Sequence, residues 1–182
     1  MRLLLHICCG PCAVYPVSVL EEEGVDFEGL FYNPNIHPYD EFVRRKENVG
    51  EFAKIKNFSV KYMDDFSQDI WEKLGEDNEN RCNMCYTVRI DKVAQFAKEN
   101  GFDAFTTTLL VSPYQKHELI VELSEKAAQK YGLTFYYKDF RPGFRQGQQW
   151  AKELGLYRQK YCGCIISYRE SEKLKNERKK SK

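Results

Sequence analysis

The first dozen residues, MRLLLHICCGPC, leave few folds open to this chain. Leu3, Leu4, Leu5 and Ile7 form an apolar stretch of strand length, which stops at Cys8, Cys9, Gly10 and Pro11, where small and rigid residues force a turn. The segment AVYPVSVLEEEG that follows has helical character. A strand, a tight loop and a helix in that order open an α/β domain. In such sheets ligands collect beyond the carboxyl ends of the strands, where first-turn N–H groups and the helix dipole favour anions. Three cysteines stand where a nucleotide-binding loop would carry glycines and a hydroxyl.

The alternation continues. VDFEGLFYN reads as a second strand, and a helix from about Tyr39 to Lys54 would bury Phe42, Val49, Phe52 and Ile55. FSVKYM is a third strand, followed by a short helix capped by Asp64 or Asp65 and closed by Gly75. Glu76 to Arg81 reads as a loop, with an amphipathic helix from about Cys85 to Gly101. FDAFTTTLL and LTFYYKDF give two more strands around a helix in HELIVELSEKAAQKYG, and helices over QQWAKELGL and after YRQKYCGC complete the chain. This pattern predicts a doubly wound parallel sheet with helices on both faces and C-terminal helices. We expect one catalytic α/β domain over 1–174 and a basic tail over 175–182, a solvated helix end or an arm for phosphates.

A net charge of +1 excludes a global nucleic-acid signature, so any basic surface is local. No apolar stretch approaches a membrane span, and no signal peptide opens the chain, so we expect a cytoplasmic protein with no membrane contact. Seven cysteines in a reducing compartment suit metal or redox chemistry better than a disulfide scaffold. They form three groups: Cys8, Cys9 and Cys12; Cys82 and Cys85; Cys162 and Cys164. The first two groups lie near loop-to-helix junctions, where thiolates are stabilised, and together they supply enough ligands for tetrahedral zinc or a [4Fe-4S] cluster. The adjacent pair Cys8-Cys9 is unusual for structural zinc, which favours iron-sulfur. A disulfide across Gly163 would close a small, easily opened ring, so Cys162 and Cys164 read as a redox pair, with simple packing as the alternative.

Among the other polar candidates, His6 inside the first strand reads as a hydrogen-bonded residue behind a ligand. His37 sits in a loop beside Pro38. Tyr32, Tyr39, Tyr86, Tyr114, Tyr157 and Tyr161 fall near loops or helix starts, where a rim tyrosine can stack an unpaired base. Arg44, Arg45, Arg81, Arg89, Arg141, Arg145 and Arg158 are candidate phosphate contacts, with solvated or ion-paired arginine as the alternative for each.

HICCGPC, YNPNIHPYDEFVRRK, RCNMCYTVRI, TTTLLVSPYQ, DFRPGF and YRQKYCGCIIS, taken together and in order from Leu3 to about Ser167, resemble the QueH family of epoxyqueuosine reductases. The resemblance implies a fold similar to the adenine nucleotide α-hydrolase (HUP/PP-loop-like) type. It also implies the final step of queuosine biosynthesis, removal of the epoxide oxygen from epoxyqueuosine at the wobble position of tRNA. By motif, Cys8, Cys9, Cys82 and Cys85 would hold a [4Fe-4S] cluster, and Cys162 and Cys164 would form the redox-active disulfide. An additional mononuclear iron is implied close by, for which Cys12 is a candidate ligand or catalytic group. Tyr32, Asn33, Arg44, Arg45, Tyr114, Gln115 and Arg141, within the same motifs, are candidate substrate contacts. An external electron donor is required, and no cobalamin motif stands out.

Two other readings compete. A tRNA sulfur transferase of related fold would use ATP, but HICCGPC lacks the hydroxyl and glycine run that cradle phosphates. A zinc-stabilised RNA-binding module would leave Cys162 and Cys164 without a role.

Overall fold

The computed structural model describes residues 1–75 and 77–180. In chain order the elements are β1 (Leu3–His6), α1 (Gly10–Glu22), β2 (Phe27–Tyr32), α2 (Tyr39–Lys56), β3 (Val60–Met63), α3 (Asp69–Leu74), α4 (Asn78–Glu99), β4 (Ala104–Thr107), α5 (His117–Tyr131), β5 (Thr134–Phe135), α6 (Phe144–Glu153) and α7 (Ile165–Lys180). Two short 3-10 turns, Thr108–Val111 and Arg141–Gly143, follow β4 and precede α6. The five strands are parallel in the order β3-β2-β1-β4-β5. The chain winds outward from β1 through β2 to β3, then returns to the other side of β1 for β4 and β5. Strand order therefore reverses between β1 and β4, which opens a crevice at their carboxyl ends.

Alternation along β1 builds both layers. Leu3, Leu5 and Ile7 meet Val14, Val17, Phe42 and Phe52 of α1 and α2 on one face. Leu4 joins Ile90, Val93, Ile120 and Phe105 on the other, under α4 and α5. His6 pairs in register with Thr107 and Leu30 and is fully buried. On the first face α6 packs against α1 through a notch. Gly147 lies against Tyr15, and a β-carbon on Gly143 would fall 2.1 Å from the Tyr15 ring.

Several expectations need correction. Asp64 and Asp65 do not cap α3: Gln68 holds that position without a side-chain bond, and Asp64 instead accepts from Lys46 at 2.6 Å. The helix carrying the second cysteine group begins at Asn78, not near Cys85, because Asp77 caps it and accepts from the Asn80 N–H at 3.2 Å. Most of the expected loop is thus helix, and Glu76 lies outside the described residues. Ile55 is half exposed while Phe42, Val49 and Phe52 are buried, since the helix runs past the edge of the sheet. Lys175 to Lys180 of the expected tail continue α7 as an exposed helix end, one of the two forms expected, and residues 181–182 lie outside the described residues. Among the described residues no helix is long and apolar enough to cross a membrane.

A thiol-lined cavity at the reversal point

The crevice between β1 and β4 is a cavity of about 570 Å³. Its thiols come from three distant segments. Cys9 caps α1, its Sγ accepting from the Cys12 N–H at 3.2 Å, so the two side chains turn to one point. Cys8 is held from the neighbouring strand: its N–H donates to Thr108 Oγ1 at 3.0 Å, and the Thr108 hydroxyl donates to Cys8 Sγ at 3.2 Å. The sulfurs of Cys8, Cys9 and Cys12 lie within 4.8 Å of one another, a group able to hold a metal ion. Cys82, on the second turn of α4, lines the cavity, while Cys85, about one turn later, packs beside Cys164, Trp71 and Ile165.

Behind the first group, His6 bonds Thr107 Oγ1 at 2.8 Å and donates from Nε2 to the Tyr32 carbonyl at 3.1 Å. Burial, helped by the Arg89 charge, holds its pKa down to about 3, so the ring is neutral. Arg89 is itself buried and donates to Asn33 Oδ1 at 2.8 Å, and Asn33 in turn donates to the Ile7 carbonyl at 2.9 Å. Its other terminal nitrogen lies 4.0 Å from Cys85 Sγ, and its Nε has no partner. Among the described residues no carboxylate pairs with it. A buried guanidinium of this kind is costly unless an anion lies close.

The third group sits on a loop held from outside the sheet. Arg45, only 3% exposed, donates to the carbonyls of Cys162 at 2.9 Å and Tyr161 at 3.0 Å. Its Nε donates to Glu41 at 2.8 Å, and the Tyr157 hydroxyl donates to the same carboxylate. His37 adds two bonds: its N–H reaches the Gly163 carbonyl at 2.8 Å, and its Nδ1 accepts from the Ile165 N–H at 2.9 Å. Gly163 has φ 153, a conformation that L side chains rarely adopt, and this separates an exposed Cys162 from a buried Cys164. Gln159 ties the loop to the first group, donating to Cys9 Sγ at 3.0 Å.

Two of the thiol groups are found in different states, Cys162 and Cys164 in the reduced form of the expected redox pair. Cys9 and Cys12 are joined in a disulfide, and Cys162 and Cys164 are free thiols. The cap geometry of α1 brings the first two together, whereas Gly163, at its positive φ, holds the second two in different surroundings. Desolvation pushes the Cys85 thiol up to about 11, with Arg89 opposing and Cys162 adding to the rise. Cys82 is raised for the same first reason, and Cys164 adds to the rise. Thiols that raise one another in this way are stabilised as thiolates by a bound cation.

Of the candidate substrate contacts, Arg45, Tyr114 and Gln115 line the cavity. Tyr32 lies in the core with its carbonyl bonded to His6, and Asn33 is fully buried between Ile7 and Arg89. Arg44 sits over the Tyr157 ring, and Arg141 pairs with Asp139 at 2.7 Å, both away from the cavity wall. Sequence reasoning passed over Thr108 and Gln159. The threonine run ending β4 is a signal for the first; nothing local marks the second.

Fold and site define a doubly wound α/β protein whose reversal-point cavity carries thiols in place of a phosphate loop. The family profile described as "Epoxyqueuosine reductase QueH" matches residues 3–170. Proteins of that name are 35% identical in Thermotoga maritima (92% of this chain, 91% of that protein) and 32% identical in Dehalococcoides mccartyi (91% and 92%). In Haemophilus influenzae the identity is 35%, over 97% of this chain and 75% of that protein. The chain belongs to the QueH family of epoxyqueuosine reductases and is an oxidoreductase. Two solved structures share the fold. One is a deacetylase from the biosynthesis pathway of teicoplanin (TM-score 0.54, 9% identity, 85% of this chain and 83% of that one). The other is a "predicted subunit of tRNA methyltransferase" from Methanocaldococcus jannaschii (TM-score 0.57, 12% identity, 84% and 75%). At these identities the likeness is one of fold alone.

Proposed function

We propose that this protein reduces epoxyqueuosine to queuosine at the wobble position of tRNA, in the cytoplasm, with a [4Fe-4S] cluster held by Cys8, Cys9, Cys82 and Cys85 and with Cys162 and Cys164 as the electron-storing pair. The observation that carries it is the convergence of three thiol groups on one cavity beside a buried, uncompensated Arg89. That donor set suits an anionic, thiolate-bound centre, and Cys12 is the candidate for an accessory iron. Binding through Cys9 requires the Cys9–Cys12 disulfide to be reduced first.

When bound, the cluster would supply electrons singly to the carbon–oxygen bond of the epoxide. The protein's own residues do the rest. Arg89 balances negative charge on the sulfurs. Tyr86, whose hydroxyl donates to Gln115 and accepts from the Lys116 N–H at 3.4 Å, faces the cavity, and desolvation holds its pKa well above the ordinary tyrosine value. It is placed to keep a proton until an alkoxide develops and then to release it. Conversion of an epoxide to an alkene and water consumes two electrons and two protons. Closure of Cys162 and Cys164 to a disulfide releases the same number, and an external donor reopens the pair.

The test is anaerobic reconstitution after full reduction, with iron and sulfide analysis and nucleoside mass spectrometry on epoxyqueuosine tRNA under a strong reductant. Cluster-loaded protein should yield queuosine, and Cys82→Ala should lose both cluster and product. Stoichiometric zinc without turnover would overturn the reading.

A further inference from the structure

A second cleft of about 450 Å³ adjoins the thiol cavity, sharing Tyr114, Phe144 and Gln148 as a common wall. Its other lining includes Arg145, Lys152 and Arg158, all exposed. Several surface cations pair with a carboxylate, among them Lys46, Lys56, Lys126, Lys130, Lys138 and Arg169. Among the described residues Arg145, Lys152 and Arg158 have no such partner, and the adjacent Glu153 carboxylate is engaged by Gln149 at 2.8 Å.

Helix geometry makes the cleft one-sided. At about 100° per residue, Arg145, Gln148, Gln149 and Lys152 fall within about 100° of arc on α6. Gly143, Gly147 and Ala151 lie opposite and are buried. One face of α6 is therefore committed to the core, and the other is a strip of cations and amides beside the mouth of the active cavity. At the lip stands Tyr114, 85% exposed, its ring supported edge-on by Phe144 at 5.8 Å. An aromatic ring held out in water between a charged strip and a deep cavity suits base stacking next to a backbone track.

We propose that this cleft is the RNA track of the protein: Arg145, Lys152 and Arg158 hold backbone phosphates of the anticodon loop, and Tyr114 stacks the base next to the nucleotide that enters the thiol cavity. The inference rests on tRNA being the substrate. It assigns the face on which the RNA lies and the direction from which the modified base arrives.

The experiment measures binding of unmodified anticodon stem-loop RNA to the full chain by fluorescence anisotropy across a salt series. Arg145→Gln, Lys152→Gln and Arg158→Gln together should weaken binding about 10-fold to 100-fold and flatten the slope of log Kd against log salt by about 2, since each single-strand phosphate contact contributes about 0.7. Lys152→Gln alone should give about a third of the slope change. Tyr114→Ala should weaken binding with the slope unchanged. A charge-matched control, Lys54→Gln with Lys61→Gln and Lys73→Gln, should leave affinity and slope as in the parent. Parent protein that binds the RNA while the cleft and control triples behave alike would overturn the cleft assignment and leave the reductase reading standing. Parent protein that binds neither the stem-loop nor whole tRNA would overturn the tRNA reading, and the cleft with it.

Discussion

The two thiol loops that face each other across the cavity are held in opposite ways. Cys8, Cys9 and Cys12 hang from the central strand of the sheet, fixed by the backbone of β1, by the cap of α1 and by Thr108. Cys162 and Cys164 belong to a loop with no strand of its own, fixed by bonds borrowed from Arg45, His37 and Ser167. The first arrangement suits ligands that must not move. The second holds the proposed redox pair beside the site on side-chain hydrogen bonds in place of a strand.

Arg45→Ala should break this comparison most sharply. It leaves the buried Glu41 carboxylate to Tyr157 and Arg44 alone and frees two loop carbonyls, at a cost of about 3 kcal/mol. Hydrogen exchange should accelerate over residues 157–168 and stay as in the parent over residues 3–12. Equal acceleration in both would show the loops to be one unit.

Gly163→Ala comes next. The left-handed φ and the neighbouring Arg45 Nη1, 3.3 Å from the new β-carbon, predict about 1–3 kcal/mol of strain. Alkylation rates of Cys162 and Cys164 should change while that of Cys8 does not.

Thr108→Val is the converse probe. It leaves the Cys8 N–H without its acceptor, for about 1–2 kcal/mol, and should change iron retention at the first loop without changing Cys162 alkylation.

The smallest effect is one of pH. Burial lowers the His37 pKa below its ordinary 6.5, although the Ser67 and Pro34 carbonyls oppose the shift. On acidification the unfolded chain takes up the proton first. The stability this ring contributes is complete above about pH 6.5 and is lost as pH falls toward the native value, by at most about 1.4 kcal/mol per unit. Urea titrations at about pH 7.5 and about pH 5.5 should show a drop that His37→Gln reduces.

The legibility of the sequence follows the same division. The β1 loop and α1 could be read directly, because an apolar run, a turn and a cap are neighbours in the chain. The start of α4 is hidden in the sequence since the largely polar residues from Asn78 to Asn83 carry no apolar rhythm, while Asp77, the residue that caps the helix, looks like any loop residue. The support of the second loop was out of reach. Arg45 meets Cys162 across 117 positions and Gln159 meets Cys9 across 150, and no local pattern encodes such contacts. In the sequence Arg45 reads as a cation for a substrate, whereas in the fold it is buried and bonded to the loop carbonyls.

The seating of Tyr15 between Gly143 and Gly147 has a geometric consequence. Tyr15 lies one helical turn beyond Cys12 on α1, so the notch seats α6 against the same helix that carries the first thiols. The two helices act as a ruler. A nucleotide held by its phosphates on α6, as proposed above, would then meet the cavity at a depth set by this helix pair.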